Sequence, residues 1–252
     1  TIMRASGTLG TGISIAAGVS NVTIMNGAIS SNGGTLTTGI SAPGVNSGIL
    51  IDNVTIVGAT TCFNLTNVRG FSIKNAQTLT CTTGLSLTTC TNGNVSDSAF
   101  DGASTAGITM QTTCKGIQFT DVSASDSGIG LDITAGGATG IVCTNFMAVN
   151  NATGINVASN GNKFVNCNTS NNTVNGIDVI TPAAGNTFIG CNAGGNGGDG
   201  VNIASTGTGN TFENCTAGGN TTHGFVVGIG NSFAKCSVNG GTNGFEATVA
   251  ML

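Results

Sequence analysis

The chain has 252 residues, 42 of them glycine, with only six Lys/Arg against ten Asp/Glu and a net charge of −4. Six dispersed cations give no patch that could follow a phosphate backbone, which excludes nucleic-acid binding, and no apolar run reaches the ~18 residues of a membrane helix, which excludes helical membrane insertion. The composition is rich in Asn, Ser, Thr and Gly, yet Val, Ile, Thr and Phe recur at fixed spacing, so order is expected rather than disorder.

In chain order, the first strand signal is Gly12-Ile13-Ser14-Ile15, an apolar–polar alternation with the period of two that marks a half-buried strand. It recurs at Gly84-Leu85-Ser86-Leu87, Gly107-Ile108-Thr109-Met110, Gly154-Ile155-Asn156-Val157, Gly176-Ile177-Asp178-Val179, Gly200-Val201-Asn202-Ile203 and Gly224-Phe225-Val226-Val227. At Cys62-Phe63-Asn64-Leu65 a cysteine takes the place of the leading glycine. Between these runs lies a second motif, clearest at Asn162-Lys163-Phe164-Val165-Asn166-Cys167, Asn186-Thr187-Phe188-Ile189-Gly190-Cys191, Asn210-Thr211-Phe212-Glu213-Asn214-Cys215 and Asn231-Ser232-Phe233-Ala234-Lys235-Cys236. Its apolar position continues backward through Cys143, Phe119, Val95, Ile73, Ile51 and Ile24. Two residues further on stands a column of Asn26, Asn53, Asn75, Asp97, Asp121, Asn145, Asn166, Gly190, Asn214 and Lys235.

A step of about 23 residues with two or three short strands in each is one coil of a parallel β-solenoid. The fold expected is all-β: one right-handed parallel β-helix domain over residues 1–252, of about ten coils, with 1–11 an N-terminal edge or extension and 245–252 a C-terminal edge strand. Helical periodicity is absent, and the glycine density would cost a helix ~1 kcal/mol at each such position. Coil length, the Asn column and the Asn-x-Phe-x-Asn-Cys strand together resemble the pectin-lyase-like superfamily, over nearly the whole chain. The resemblance implies the fold and leaves function open, since that superfamily holds lyases, hydrolases, epimerases, tailspikes, adhesins and structural proteins.

The columns have their own chemistry. Cys167, Cys191, Cys215 and Cys236 share one column and Cys90 and Cys114 another, while Cys62, Cys81 and Cys143 are less regular. A buried thiol ladder is expected, with bridges between rungs as the alternative and metal binding disfavoured, because a straight row does not enclose a tetrahedral site. The Asn/Asp column is expected to form amide ladders at a corner rather than a row of calcium ligands.

His223 is the sole histidine, at a corner where other coils carry Asn175, Asp199 and Asn243. A structural corner is the favoured reading; Asp199, one rung away, makes a His–Asp pair feasible. A polygalacturonase-like hydrolase implies clustered aspartates, Gly-His-Gly and Arg-x-Lys, of which only Thr222-His223-Gly224 is present; a pectate-lyase-like site implies acidic calcium ligands beside a base, and the cations, Arg4 and Arg69 among them, are scattered. The segment Gly194–Asn202 matches the nonapeptide calcium repeat, but the next coil, Gly218-Gly219-Asn220-Thr221-Thr222-His223, lacks the Asp. Sequons such as those at Asn21, Asn53, Asn64 and Asn151 arise by composition. The absence of Trp and Tyr counts against an aromatic glycan platform, and Thr35-Leu36-Thr37 and Thr78-Leu79-Thr80 do not extend into the persistent Thr-x-Thr rows an ice-binding face needs.

Both ends read as apolar, Thr1-Ile2-Met3 and Val249-Ala250-Met251-Leu252, without capping helices. Uncapped edges invite association, and head-to-tail contact of identical chains is heterologous and non-closing. The function expected is therefore a non-enzymatic structural subunit, secreted or on the cell surface, that polymerises end to end with itself. An adhesin or tailspike-like shaft binding a cell-surface glycan is the alternative, and a polysaccharide lyase or hydrolase around His223 and Asp199 comes third. No catalytic residue, metal or cofactor is assigned.

Overall fold

The computed structural model describes residues 2–3 and 9–247 apart from 32, 33, 35, 135, 136 and 205. Arg4 and the C-terminal Val249-Ala250-Met251-Leu252 lie outside the described residues, as does the part of the expected edge strand beyond Ala247. All regular structure among the described residues is strand, arranged as two wholly parallel sheets of about ten stacked coils. The first sheet takes in Thr23–Ser30, Asn46–Val57, Val68–Lys74, Thr91–Ala99 and Gln118–Ser123, then three-residue strands ending at Ser232–Ala234. The second runs from Leu9–Ser14 to Gly241–Ala247. From Ser123 onward the third strand of each coil is reduced to single bridges, Ser123–Met147–Asn168–Asn192–Thr216–Ser237.

The register read from the sequence is the register observed. Ile24, Ile51, Ile73, Val95, Phe119, Cys143, Phe164, Phe188, Phe212 and Phe233 are consecutive partners on the first sheet. Their side chains fill the core, where Phe164, Phe188 and Phe212 are fully buried. Isolated aromatic pairs favour offset or edge-on geometry, but a rung spacing of ~4.8 Å dictates parallel stacking. The Phe164–Phe188, Phe188–Phe212 and Phe212–Phe233 centroids accordingly lie 4.7, 4.5 and 5.0 Å apart with interplanar angles of 7°, 4° and 5°.

The glycine that leads most strands of the second sheet is there for space. A Cβ on Gly200 would lie 2.6 Å from both Ala193 O and Gly224 O, and on Gly176 2.7 Å from Gly200 O. Positive φ is instead carried by the Asn/Asp column, from 49° at Asp97 to 57° at Asn26. These residues turn the corner because a short polar side chain tolerates the left-handed region.

The amide ladder expected at that corner is corrected by the structure. Only Asn53→Asn26 and Asn145→Asp121 bond there, at 3.0 Å each, and Asn75 turns aside to Asp52; these side chains face solvent. The continuous ladders lie elsewhere and are buried except at Asn231, which is half-buried. Asn162, Asn186, Asn210 and Asn231 form one: each side-chain oxygen accepts the backbone N–H of the preceding rung at 2.9–3.0 Å. Asn151, Asn172, Asn196 and Asn220 form the other, at 2.8–2.9 Å. A buried bend leaves N–H groups without sheet partners, and an Asn in each coil satisfies them.

All nine cysteines are free, eight of them buried. In the column Cys191, Cys215 and Cys236, each thiol donates to a carbonyl one coil back, at Phe164, Phe188 and Phe212 respectively, at 3.5–3.6 Å.

Candidate functional site

The corner before each second-sheet strand stacks Asn175, Asp199 and His223. Asn175 Oδ1 accepts the Asp199 N–H at 2.9 Å, and Asp199 Oδ1 accepts the His223 N–H at 3.1 Å. The same carboxylate oxygen is 2.8 Å from His223 Nδ1, so the pair inferred from the one-rung offset is formed. Glu246 completes it from strand Gly241–Ala247, its Oε2 2.5 Å from His223 Nε2. The sequence reading missed Glu246; the signal was its place in the outward column Asn202–Val226–Glu246. Beside this cluster the Asp178 carboxyl accepts from Asn202 Nδ2 at 2.8 Å. Burial holds its pKa above the ordinary carboxylate value; the Asn202 and Asn175 amides oppose this, and the Asp199 charge adds to it.

Both ring nitrogens are thus engaged by carboxylate oxygens, Nδ1 by Asp199 and Nε2 by Glu246. In this geometry His223 is a clamp joining three successive coils. The calcium-like nonapeptide is likewise absorbed: Asn196 lies in a buried amide ladder and Asp199 holds His223.

Two concavities flank the first sheet over the same coils. One, of about 390 Å³, is formed at the leading ends of the strands by Arg69, Thr91 and Lys115, with Asn67, Thr89, Thr113 and Val45 around it. Arg69, Thr91 and Lys115 are register partners on successive rungs. The expectation of scattered cations is therefore corrected for these two, which the winding brings together although they are far apart in sequence. The other, of about 410 Å³, lies at the trailing ends and is acidic, with Asp97, Asp121 and Asn145 along one side and Ala99, Ser123 and Met147 along the other. On the second sheet Thr11, Thr38, Thr61 and Thr83 form a four-rung column of single threonines that stops at Ala106; two places on stand Ile13, Ile40, Phe63 and Leu85, so it is not a Thr-x-Thr row.

No protein-family model and no curated protein matches the chain. Among solved structures, it superposes on the mannuronan C-5 epimerase AlgE4 A-module of Azotobacter vinelandii with a TM-score of 0.66 at 12% identity, covering 92% of this chain and 91% of that one. The periplasmic alginate epimerase AlgG gives 0.61 at 14% identity, covering 84% of this chain and 61% of that one. The pectate lyase Pel9A gives 0.61 at 15% identity, covering 81% and 69%. Likeness at this identity is likeness of fold, a parallel β-helix.

Proposed function

We propose that the chain is a polysaccharide-binding β-helix, with the glycan lying along the coil axis in the concavity of Arg69, Thr91 and Lys115. One observation carries this reading: three successive rungs present a cation, a hydroxyl and a cation to the same open groove. A rung advances ~4.8 Å, about the length of one pyranose unit in an extended chain, so one sugar meets one rung. Threonine hydroxyls and the Asn67 amide supply the hydrogen bonds that sugar hydroxyls need, in place of the missing Trp and Tyr platforms. The alginate epimerases and the pectate lyase that share the fold are named for polysaccharides, which supports the same ligand class. Such a ligand belongs to an extracellular or cell-surface setting. The reading assigns binding, for which the groove offers cations and hydroxyls.

A glycan array with the purified chain tests it. Retention of at least one polysaccharide class is expected, and its loss in Thr91→Phe, which fills the groove, locates the site. An array on which nothing binds at millimolar sites would overturn the proposal.

End-to-end assembly is a second reading, favoured by the wholly parallel, in-register stacking, which a second copy could continue with the same backbone hydrogen bonds. Light scattering against concentration tests it: a mass that rises with concentration supports polymerisation, and a constant monomer mass refutes it.

A further inference from the structure

We infer that the Arg69–Lys115 concavity selects an acidic heteropolysaccharide in which a charged sugar alternates with a neutral one. This rests on the glycan-binding reading and names the class of glycan. Arg69 pairs with Thr91 and Thr91 with Lys115, so the two cations are two rungs apart, about 10 Å at the ~4.8 Å spacing of parallel strands. Between them Thr91 offers a hydroxyl and no charge, and no carboxylate among the described residues lines the groove. With one sugar to a rung, an anionic group on the first and third sugars meets a counter-charge, and the middle sugar meets hydroxyls. A carboxylate facing the middle rung would be partly desolvated without a partner, which disfavours it.

The cations differ in a useful way. A guanidinium binds a carboxylate or sulfate through two parallel N–H groups, whereas an ammonium acts as a point charge. Arg69 therefore fixes the orientation of one charged sugar and Lys115 the distance to the next. Polyanion binding by general attraction is opposed by the net charge of −4, so affinity must come from the local arrangement.

The test compares hyaluronan oligosaccharides, which carry a carboxylate on alternate sugars, with oligogalacturonate, which carries one on every sugar, and with a neutral β-glucan. Calorimetry on the whole chain is expected to rank hyaluronan first. Arg69→Gln and Lys115→Gln should each weaken it about tenfold, while Lys163→Gln, outside the concavity, leaves it unchanged. Thr91→Lys, which places a cation on all three rungs, should shift the preference to oligogalacturonate. Equal or better binding of oligogalacturonate by the unaltered chain, or equal losses in all three Gln variants, would overturn the inference and leave glycan binding standing. A chain that binds none of the three but another glycan on the array overturns the inference alone; one that binds no glycan at all refutes the glycan-binding reading itself.

Discussion

Replacing Asn186 with alanine removes the middle of a buried ladder, and its cost can be worked from the bonds lost. The Asn186 side-chain oxygen accepts from Asn162 N at 2.9 Å and from Asn162 Nδ2 at 3.2 Å. Its amide nitrogen donates to Ser159 O at 2.9 Å and to Asn210 Oδ1 at 3.1 Å. Asn210 Oδ1 keeps the Asn186 backbone N–H, and Asn162 Nδ2 keeps Ser159 Oγ, so neither is orphaned. The Asn162 N–H, however, is left buried and unpaired, at about 1–3 kcal/mol, and the three further bonds contribute about 0.5–1.5 kcal/mol each. The sum is about 2.5–7.5 kcal/mol, read as a lower urea midpoint at unchanged slope. Asn53→Gly is the control. It keeps the left-handed corner, where Asn53 has φ 53°, and removes one exposed bond to Asn26, so a change within about 0.5 kcal/mol is expected. If Asn186→Ala cost no more than Asn53→Gly, the buried ladder would not be what holds the coils in register.

Other perturbations reach different parts of the structure. Asp178→Asn should stabilise the chain at neutral pH. The carboxyl is held above its ordinary pKa by burial, so the folded state loses stability as pH rises from the ordinary carboxylate value through the raised one; thermal melts of variant and parent should converge below pH ~3. A variant less stable than the parent at pH 7 would contradict this. In native protein only Cys236, which is partly exposed, should react with a thiol reagent, and slowly, since desolvation raises its pKa; all nine should react in urea. Fast native labelling of more than one thiol would refute the buried column. His223→Gln should raise amide exchange in strand Gly241–Ala247 about tenfold by releasing Glu246, with little effect on coils near Ile73; unchanged exchange there would show that the clamp contributes nothing.

The core was legible because it repeats. A residue that must meet its own kind one rung above returns at a nearly fixed interval, so the column from Ile24 to Phe233 and the corner at Asn26, Asn53 and Asn75 could be aligned by counting. The Asp199–His223 pair was legible for the same reason, both residues preceding the glycine of their strand. Local residue type also foretold the left-handed corners, because that preference is a property of the residue and its own backbone.

Which amides are buried was not legible. Asn26 and Asn162 are the same residue type, and only the closed cross-section puts one at the surface and the other at an inner bend whose N–H groups lack sheet partners. The tertiary structure also decided the reach of long side chains. Glu246 meets His223 from another column, and Arg69 and Lys115 enter one groove from rungs 46 residues apart. By itself the sequence determined the pitch and contents of the helix, because period and side-chain type are intrinsic to the chain. Its surface chemistry waited on the winding, because groups that the coil brings together at an outer face follow no period of their own.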